Sequence, residues 1–324
     1  MTRRPRVIRS TALGLEEASE RRPEVPSSTP AVVPLTWRER VFAYIALTKP
    51  RIIELLLITT VPSMIVAADG WPPFGLVIWT LVGGTLAAGG ANAINCYVDR
   101  DIDEIMPRTR KRPLPRHQVE PRNALLFGIV LGIAAFALLS ATTNALAAWL
   151  ATGALLFYVF IYTIALKRWT PQNIVIGGAA GAMPALVGWA AVTNTIELPA
   201  LALFGIIFYW TPPHFWALAL RYERDYRSAG VPMMPVVYGR EETTKHILLY
   251  SLLLFAMCLA FFSLGRMGIV YLSSAIGLNA AFIYLAVKLY RNPTPRIAWT
   301  LFKFSIYYLA LLFTAAAADR LLSF

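Results

Sequence analysis

The chain has 324 residues, 57% of them hydrophobic and 15% charged, with a mean hydropathy of +0.56. That balance excludes an ordinary soluble enzyme and points to a multi-pass membrane protein. The net charge of +12 does not indicate a nucleic-acid partner, because the cations cluster in connections between apolar runs; two cysteines, Cys96 and Cys258, exclude a disulfide framework or a cysteine-built zinc site.

Residues 1–35 are rich in Arg, Pro and Ser and carry Glu16, Glu17, Glu20 and Glu24. They hold no apolar core of a signal peptide, and transit peptides are poor in acids, so a disordered cytoplasmic tail is expected. Residues 36–324 are expected to form a single transmembrane domain. It opens with TWRERVFAYIALTKPR, whose mixed apolar and basic character suits the membrane interface.

A bilayer crossing takes about 20 apolar residues. Nine such runs follow, at 52–69, 74–96, 123–142, 144–166, 173–193, 199–220, 246–265, 269–288 and 299–317. The expected fold class is therefore an all-α integral membrane protein with nine transmembrane helices. Thr142, Thr143 and Asn144 alone separate the third run from the fourth. The fifth contains GGAAGAMPALVG, small residues that let helices approach closely.

The cations alternate with the runs. Ten Lys and Arg precede residue 52, seven follow the second run, two the fourth, five the sixth and three the eighth. These are 27 of the 30, whereas the opposite side holds only Arg266 and Arg320, and Lys303 falls inside the ninth run. The positive-inside rule makes the rich side cytoplasmic, with the N-terminus inside and the C-terminus outside.

Both long connections lie on that side. The first holds Asn95, Asp99 and Asp103, spaced by four, which stacks them on one helix face. Oxygen ligands of this kind suit Mg2+, which binds through a few carboxylates and substrate phosphates. Asp101 is turned about 200° from Asp99 and faces away. Arg108, Arg110, Lys111 and Arg112 follow, either to neutralise phosphate or only to set topology. The second connection offers Arg221, Glu223, Asp225 and Tyr226. Arg221 and Asp225, four apart on one helix, make either a surface ion pair or a second wall of a metal site. The short connection after the fourth run carries Lys167 and Arg168, with Tyr162 and Thr163 a turn earlier. His214 lies inside the sixth run beside Pro212 and Pro213, which should break that helix, and among Trp210, Phe215 and Trp216. A histidine within a span is a functional candidate, or else a packed, hydrogen-bonded side chain.

Five strings carry a resemblance: TKPR at 48–51, NCYVDRDIDEIMPRTRKRPLP, YTIALKRWTPQNIVIGGAAGAMPALVGW, WTPPHFWALAL and DYRSAGVPMMPVV. Together they resemble the UbiA superfamily of intramembrane prenyltransferases, whose first aspartate-rich motif is matched by Asn95, Asp99 and Asp103. PPHFWALAL and AGVPMMPV are more narrowly similar to its heme branch, the protoheme IX farnesyltransferases. Arg221 departs from the superfamily's second motif, which usually has an aspartate four before Asp225; the heme branch shares this departure. The resemblance implies a UbiA-type helical bundle around a central cavity in a bacterial inner membrane, with its active site on the cytoplasmic side. It implies farnesyl diphosphate as donor, with Mg2+ held by Asn95, Asp99, Asp103 and Asp225. Arg108, Arg112, Lys167, Arg221, Tyr162 and Tyr226 become substrate contacts. Heme b is the implied acceptor, with His214 beside it, membrane lipid surrounds the bundle, and a heme A synthase is the implied partner enzyme. The alternatives are the same fold acting on another aromatic acceptor, or a secondary transporter. The transporter is disfavoured because its acids belong at the bilayer midplane, whereas these sit at span ends.

Overall fold

The computed structural model describes residues 35–322, without the side chains of residues 52 and 54–57. The tail expected over 1–35 lies almost wholly outside the described residues. All regular structure among the described residues is helical.

The first helix, α1 (Trp37–Thr48), opens on a capping box. The Glu39 amide donates to the Thr36 hydroxyl, and the Thr36 amide donates to the Glu39 carboxylate. Its inner residues Ala43 and Leu47 pack with Ala93, Cys96, Leu114 and Val119, while Trp37 and Phe42 stay exposed. That division fits a helix lying against the bundle at the interface. Lys49, left-handed at φ 55°, turns the chain directly into α2 (Pro50–Ala68), with proline at the first helical position where no N–H is needed.

The spans follow as α3 (Phe74–Val98), α5 (Pro121–Thr142), α6 (Ala145–Leu166), α7 (Asn173–Thr193), α8 (Leu198–Arg221), α11 (Gly239–Leu264), α12 (Ile269–Arg291) and α13 (Pro295–Leu322). Short helices α4 (Arg100–Ile105), α9 (Glu223–Ser228) and α10 (Met234–Val237) lie in the two long connections. Among the described residues, these eight spans are long and apolar enough to cross a membrane. The first of the nine expected runs lies in α2, helical over 19 residues, about 28 Å of rise. Asn144 caps α6 through the Ala147 amide, which places the expected third-to-fourth boundary at that residue.

Neighbours in sequence pack as neighbours in space, and α13 closes the bundle by lying against both α2 and α8. Small residues set the closest approach. A Cβ on Gly90 would stand 2.7 Å from the Gly128 carbonyl oxygen, so α3 and α5 touch backbone to backbone. Both cysteines are free and buried in this packing, as ordinary core residues. Outer faces carry exposed apolar side chains such as Ile133, Trp149 and Tyr284, which suit contact with lipid.

The connections sort to two ends. Lys49 meets Asn95, Arg168 meets Asp101 and Arg108 meets Tyr226, so four basic connections share one end. At the other, Arg320 pairs with Asp69 at 2.9 Å. The cation alternation in the sequence is thus a spatial separation.

Three expectations change. Helix α8 runs unbroken through Pro212 and Pro213, because a neighbouring bundle can hold a helix that prolines deprive of two N–H donors. The helix does end at Arg221, and Tyr222 (φ −111°, ψ 27°) separates α8 from α9. Arg221 and Asp225 therefore share no helix face, and no ion pair joins them among the described residues. Helix α11 starts at Gly239, seven residues before the apolar run, because its first turns are the polar EETTK.

Candidate active site

Asn95, Asp99 and Asp103 are all buried, Asp99 completely. Asp99 is the joint between α3 and α4, yet the amides of Asp99 and Asp103 still donate to the carbonyls four residues back, each at 2.9 Å. The expected stacking survives for the first two. Asn95 Nδ2 donates to Asp99 Oδ2 at 2.7 Å and to Thr163 Oγ1 at 3.1 Å.

Each member of the trio holds a cation. Lys49 Nζ donates to Asn95 Oδ1 at 2.5 Å, Lys167 Nζ donates to Asp99 Oδ2, and Arg112 Nη1 donates to both oxygens of Asp103 at 2.8 and 2.6 Å. Burial pulls the Lys49 ammonium down to about 8, with Arg112 and Lys167 pushing the same way and Cys96 and Asp99 pulling against them. Asp99 Oδ1 accepts no hydrogen bond among the described residues, and Arg168 Nη2 lies 3.9 Å from it. A buried carboxylate oxygen without a donor is costly. Arg168 is otherwise engaged by Asp101 through two 2.7 Å bonds, and Asp101 is exposed whereas the trio is buried.

Lys167 reaches Asp99 because α6 widens to a π-helix over Phe157–Leu166. The Lys167 amide donates to the Tyr162 carbonyl five residues back, and Thr163 Oγ1 donates to the Tyr158 carbonyl. A π segment of this sort often marks a functional position. Tyr162 lies against Gly177 of α7, where a side chain would collide with its ring. Tyr158 and Tyr162 face each other at 5.3 Å, and Tyr158 is within electrostatic reach of Asp99, Asp103 and Arg112.

The second long connection reaches the first through Arg108. Its Nη2 donates to the Tyr226 hydroxyl at 3.4 Å, and its guanidinium lies 5.6 Å from the Tyr222 ring centre. Tyr226 and Arg108 both act electrostatically on Tyr162, so the two connections and α6 border one region. Asp225 is half-buried beside Tyr226, and its carboxylate makes no hydrogen bond or ion pair among the described residues. Arg221 is exposed. His214 lies deeper, about 10 Å along α8 from Arg221. It is 6% exposed, stacked between Trp210 and Phe302 and bonded through Nδ1 to Ser305 at 2.6 Å.

The sequence matches the UbiA prenyltransferase family over residues 56–312. The chain belongs to that family. It is 51% identical over 305 residues to the protoheme IX farnesyltransferase of Parafrankia sp. (strain EAN1pec), an alignment covering 92% of this chain and 97% of that one. Among solved structures, the fold is similar to one described as giving structural and mechanistic insights into the biosynthesis of digeranylgeranylglyceryl phosphate synthase in membranes (TM-score 0.73, 20% identity, 87% of this chain and 99% of that one). It is also similar to a UbiA homolog from Archaeoglobus fulgidus bound to GPP and Mg2+ (TM-score 0.57, 16% identity, 85% and 99%).

In this UbiA prenyltransferase, no three His, Cys, Asp or Glu side chains among the described residues come together as a metal cage. Mg2+ needs none, since one or two carboxylates and substrate phosphates suffice. Two buried carboxylates, one with an unpaired oxygen, fit that ion. Reasoning from the sequence missed Lys49 and Tyr158 as members of the site. TKPR was a signal for Lys49, because its Pro50 starts α2 and so places Lys49 at the turn between two helices; Tyr158 had none, since its role depends on the π register.

Proposed function

We propose that this chain transfers a farnesyl group from farnesyl diphosphate to a vinyl group of heme b, with addition of water, giving heme O and diphosphate. One observation carries the donor half. Every acid or amide of the trio holds a cation, with Lys49 on Asn95, Lys167 on Asp99 and Arg112 on Asp103. A metal diphosphate offers a partner to both members of each pair: its oxygens suit Lys49, Lys167 and Arg112, and its cation suits Asn95, Asp99 and Asp103. The acceptor half follows from the identity to the Parafrankia enzyme along nearly its full length.

Asn95, Asp99 and Asp103 would hold Mg2+, with Asp225 approaching from the second connection. The ion, when bound, supplies Lewis-acid stabilisation to the departing diphosphate. Lys167, Arg112, Arg108 and Arg221 neutralise diphosphate oxygens. Tyr158 and Tyr162 offer ring faces to the allylic cation left on the farnesyl group. The apolar bundle keeps water from that cation until carbon–carbon bonding to heme is complete. Tyr226 holds Arg108, and His214 contacts the heme. The basic end faces the cytoplasm of a bacterial cell, where diphosphate substrates are, and the product suits a heme A synthase as next enzyme.

Membranes containing the chain, supplied with Mg2+, farnesyl diphosphate and heme b, are expected to form heme O, and to stop when EDTA removes the metal. Turnover of 4-hydroxybenzoate with no heme O formed would replace the acceptor and leave the prenyltransferase.

A further inference from the structure

Glycines in this bundle are of two kinds. A Cβ on Gly83 would meet the Leu139 side chain at 2.5 Å, and one on Gly188 would meet the Thr60 carbonyl oxygen at 2.7 Å. Such positions let helices touch. Gly84 on α3 and Gly181 on α7 do not, because an added Cβ at either has nothing within 4 Å. Both are half-buried, yet neither lies on the outer face of its helix. Gly84 falls within about 20° of Asn95 around α3, whereas Val82, 39% exposed, is about 160° from Gly84. Gly181 falls within about 40° of Gly177, whose Cβ would strike the Tyr162 ring, and Ile176, 43% exposed, is about 140° from Gly181. Both open positions therefore face the interior of the bundle.

Their depths define a slot. Asn95 meets Thr163 and Gly177 meets Tyr162, so α3, α6 and α7 share a level there. Counting by helical rise toward the other end of the bundle, Gly181 lies about 6 Å below that level, Ala88 about 10 Å and Gly84 about 16 Å. Ala88 is half-buried and also within about 20° of Asn95, so it stands between the two openings. At about 22 Å, Thr80 of α3 and Ala148 of α6 are both buried, which closes the slot. With carbon–carbon bonds of about 1.5 Å, an extended geranyl chain is about 9 Å long and a farnesyl chain about 14 Å. Measured from Tyr162, a geranyl chain stops short of Ala88 and a farnesyl chain passes it. The Ala88 side chain leans toward the start of α3, away from Asn95, and so reaches the last isoprene unit alone. We infer that this slot takes the prenyl tail and that Ala88 sets the tail length that fits. The inference rests on a prenyl diphosphate being the donor.

The test is calorimetric binding of the thiolodiphosphate analogues of geranyl and farnesyl diphosphate, with Mg2+, to the detergent-purified full chain. The wild type should bind the farnesyl analogue the more tightly. Ala88→Phe should weaken the farnesyl analogue at least about tenfold and leave the geranyl analogue within a factor of about two. Ala88→Leu, a smaller obstruction, should shift the preference the same way, and serves if the ring disturbs the fold. Val82→Phe, on the outer face of the same helix, should bind both analogues as the wild type does. Wild-type preference in Ala88→Phe and Ala88→Leu, equal loss of both analogues in the two, or the same shift in Val82→Phe overturns the inference. If the wild type binds neither analogue, the donor is wrong; if it binds both while the preference ignores residue 88, only the gauge is wrong.

Discussion

The Lys167 ammonium rests on the Asp99 carboxylate, 68 residues earlier in the chain, and Thr163 meets Asn95 at the same interval. Equal intervals mean that α3 and α6 run parallel and in step where they meet. An ammonium and a hydroxyl one turn apart thus face a carboxylate and an amide one turn apart. Removing Lys167 takes a cation away from a fully buried carboxyl group. Lys167→Ala is expected to lower stability by about 3–5 kcal/mol. The Lys167→Ala/Asp99→Ala double variant should regain much of that loss while both remain inactive. Thermal unfolding in detergent reads the first effect and heme O formation the second; equal stability of the single and double variants would show the pair to be solvated.

Arg112 spans both oxygens of Asp103 from a single nitrogen. Hydrogen bonds to charged groups contribute about 1.5–3 kcal/mol. Arg112→Ala should therefore raise KM for farnesyl diphosphate about tenfold or more and leave KM for the acceptor within a factor of about two. Equal rises in both would place Arg112 outside the donor site.

Gly177 gives the Tyr162 ring its place. A Cβ there collides with the ring, whereas Gly181, four residues on in α7, has nothing within 4 Å of the same added atom. Gly177→Ala is expected to cost about 1–3 kcal/mol through overpacking and to reduce turnover by displacing Tyr162. Gly181→Ala should match the wild type in both, and the contrast is lost if Tyr162 is free to swing aside.

Arg108 and Tyr226 tie together two connections separated by 118 residues of sequence. Their coupling should be small, about 0.5–1.5 kcal/mol as for a single hydrogen bond, because Tyr226→Phe removes the hydroxyl and keeps the ring. It is measured as the interaction term of Arg108→Ala and Tyr226→Phe on kcat/KM for farnesyl diphosphate. Strict additivity would mean that the connections act independently.

Hydropathy located the helices closely where one segment decides. The run at 173–193 and the boundary at Asn144 come from local composition and capping. Spacing likewise placed Asn95 beside Asp99, because α3 carries the first up to the joint formed by the second. Pairings across helices were not legible. Lys49 finds Asn95 across 46 residues and Ser305 finds His214 across 91, and no local pattern encodes either. Arg221 and Asp225 failed for the opposite reason. Their spacing was right for a helix, but the helix stops between them, and the bundle rather than the local sequence sets that stop. The proline pair misled similarly, since packing around α8 outweighed two missing donors.

The widened segment of α6 has a bearing on phase. A 3.6-residue wheel drawn through Ala145–Leu166 predicts which side Lys167 occupies by counting from the apolar face above it, and the count is out by one residue beyond Phe157. One residue is about 100° of rotation. The extra residue therefore acts as an indexing step: it leaves the lipid-facing half of the helix undisturbed and turns the basic end toward Asp99. Deleting a single residue within 157–162 would preserve a span of ample length and swing the ammonium off its carboxylate.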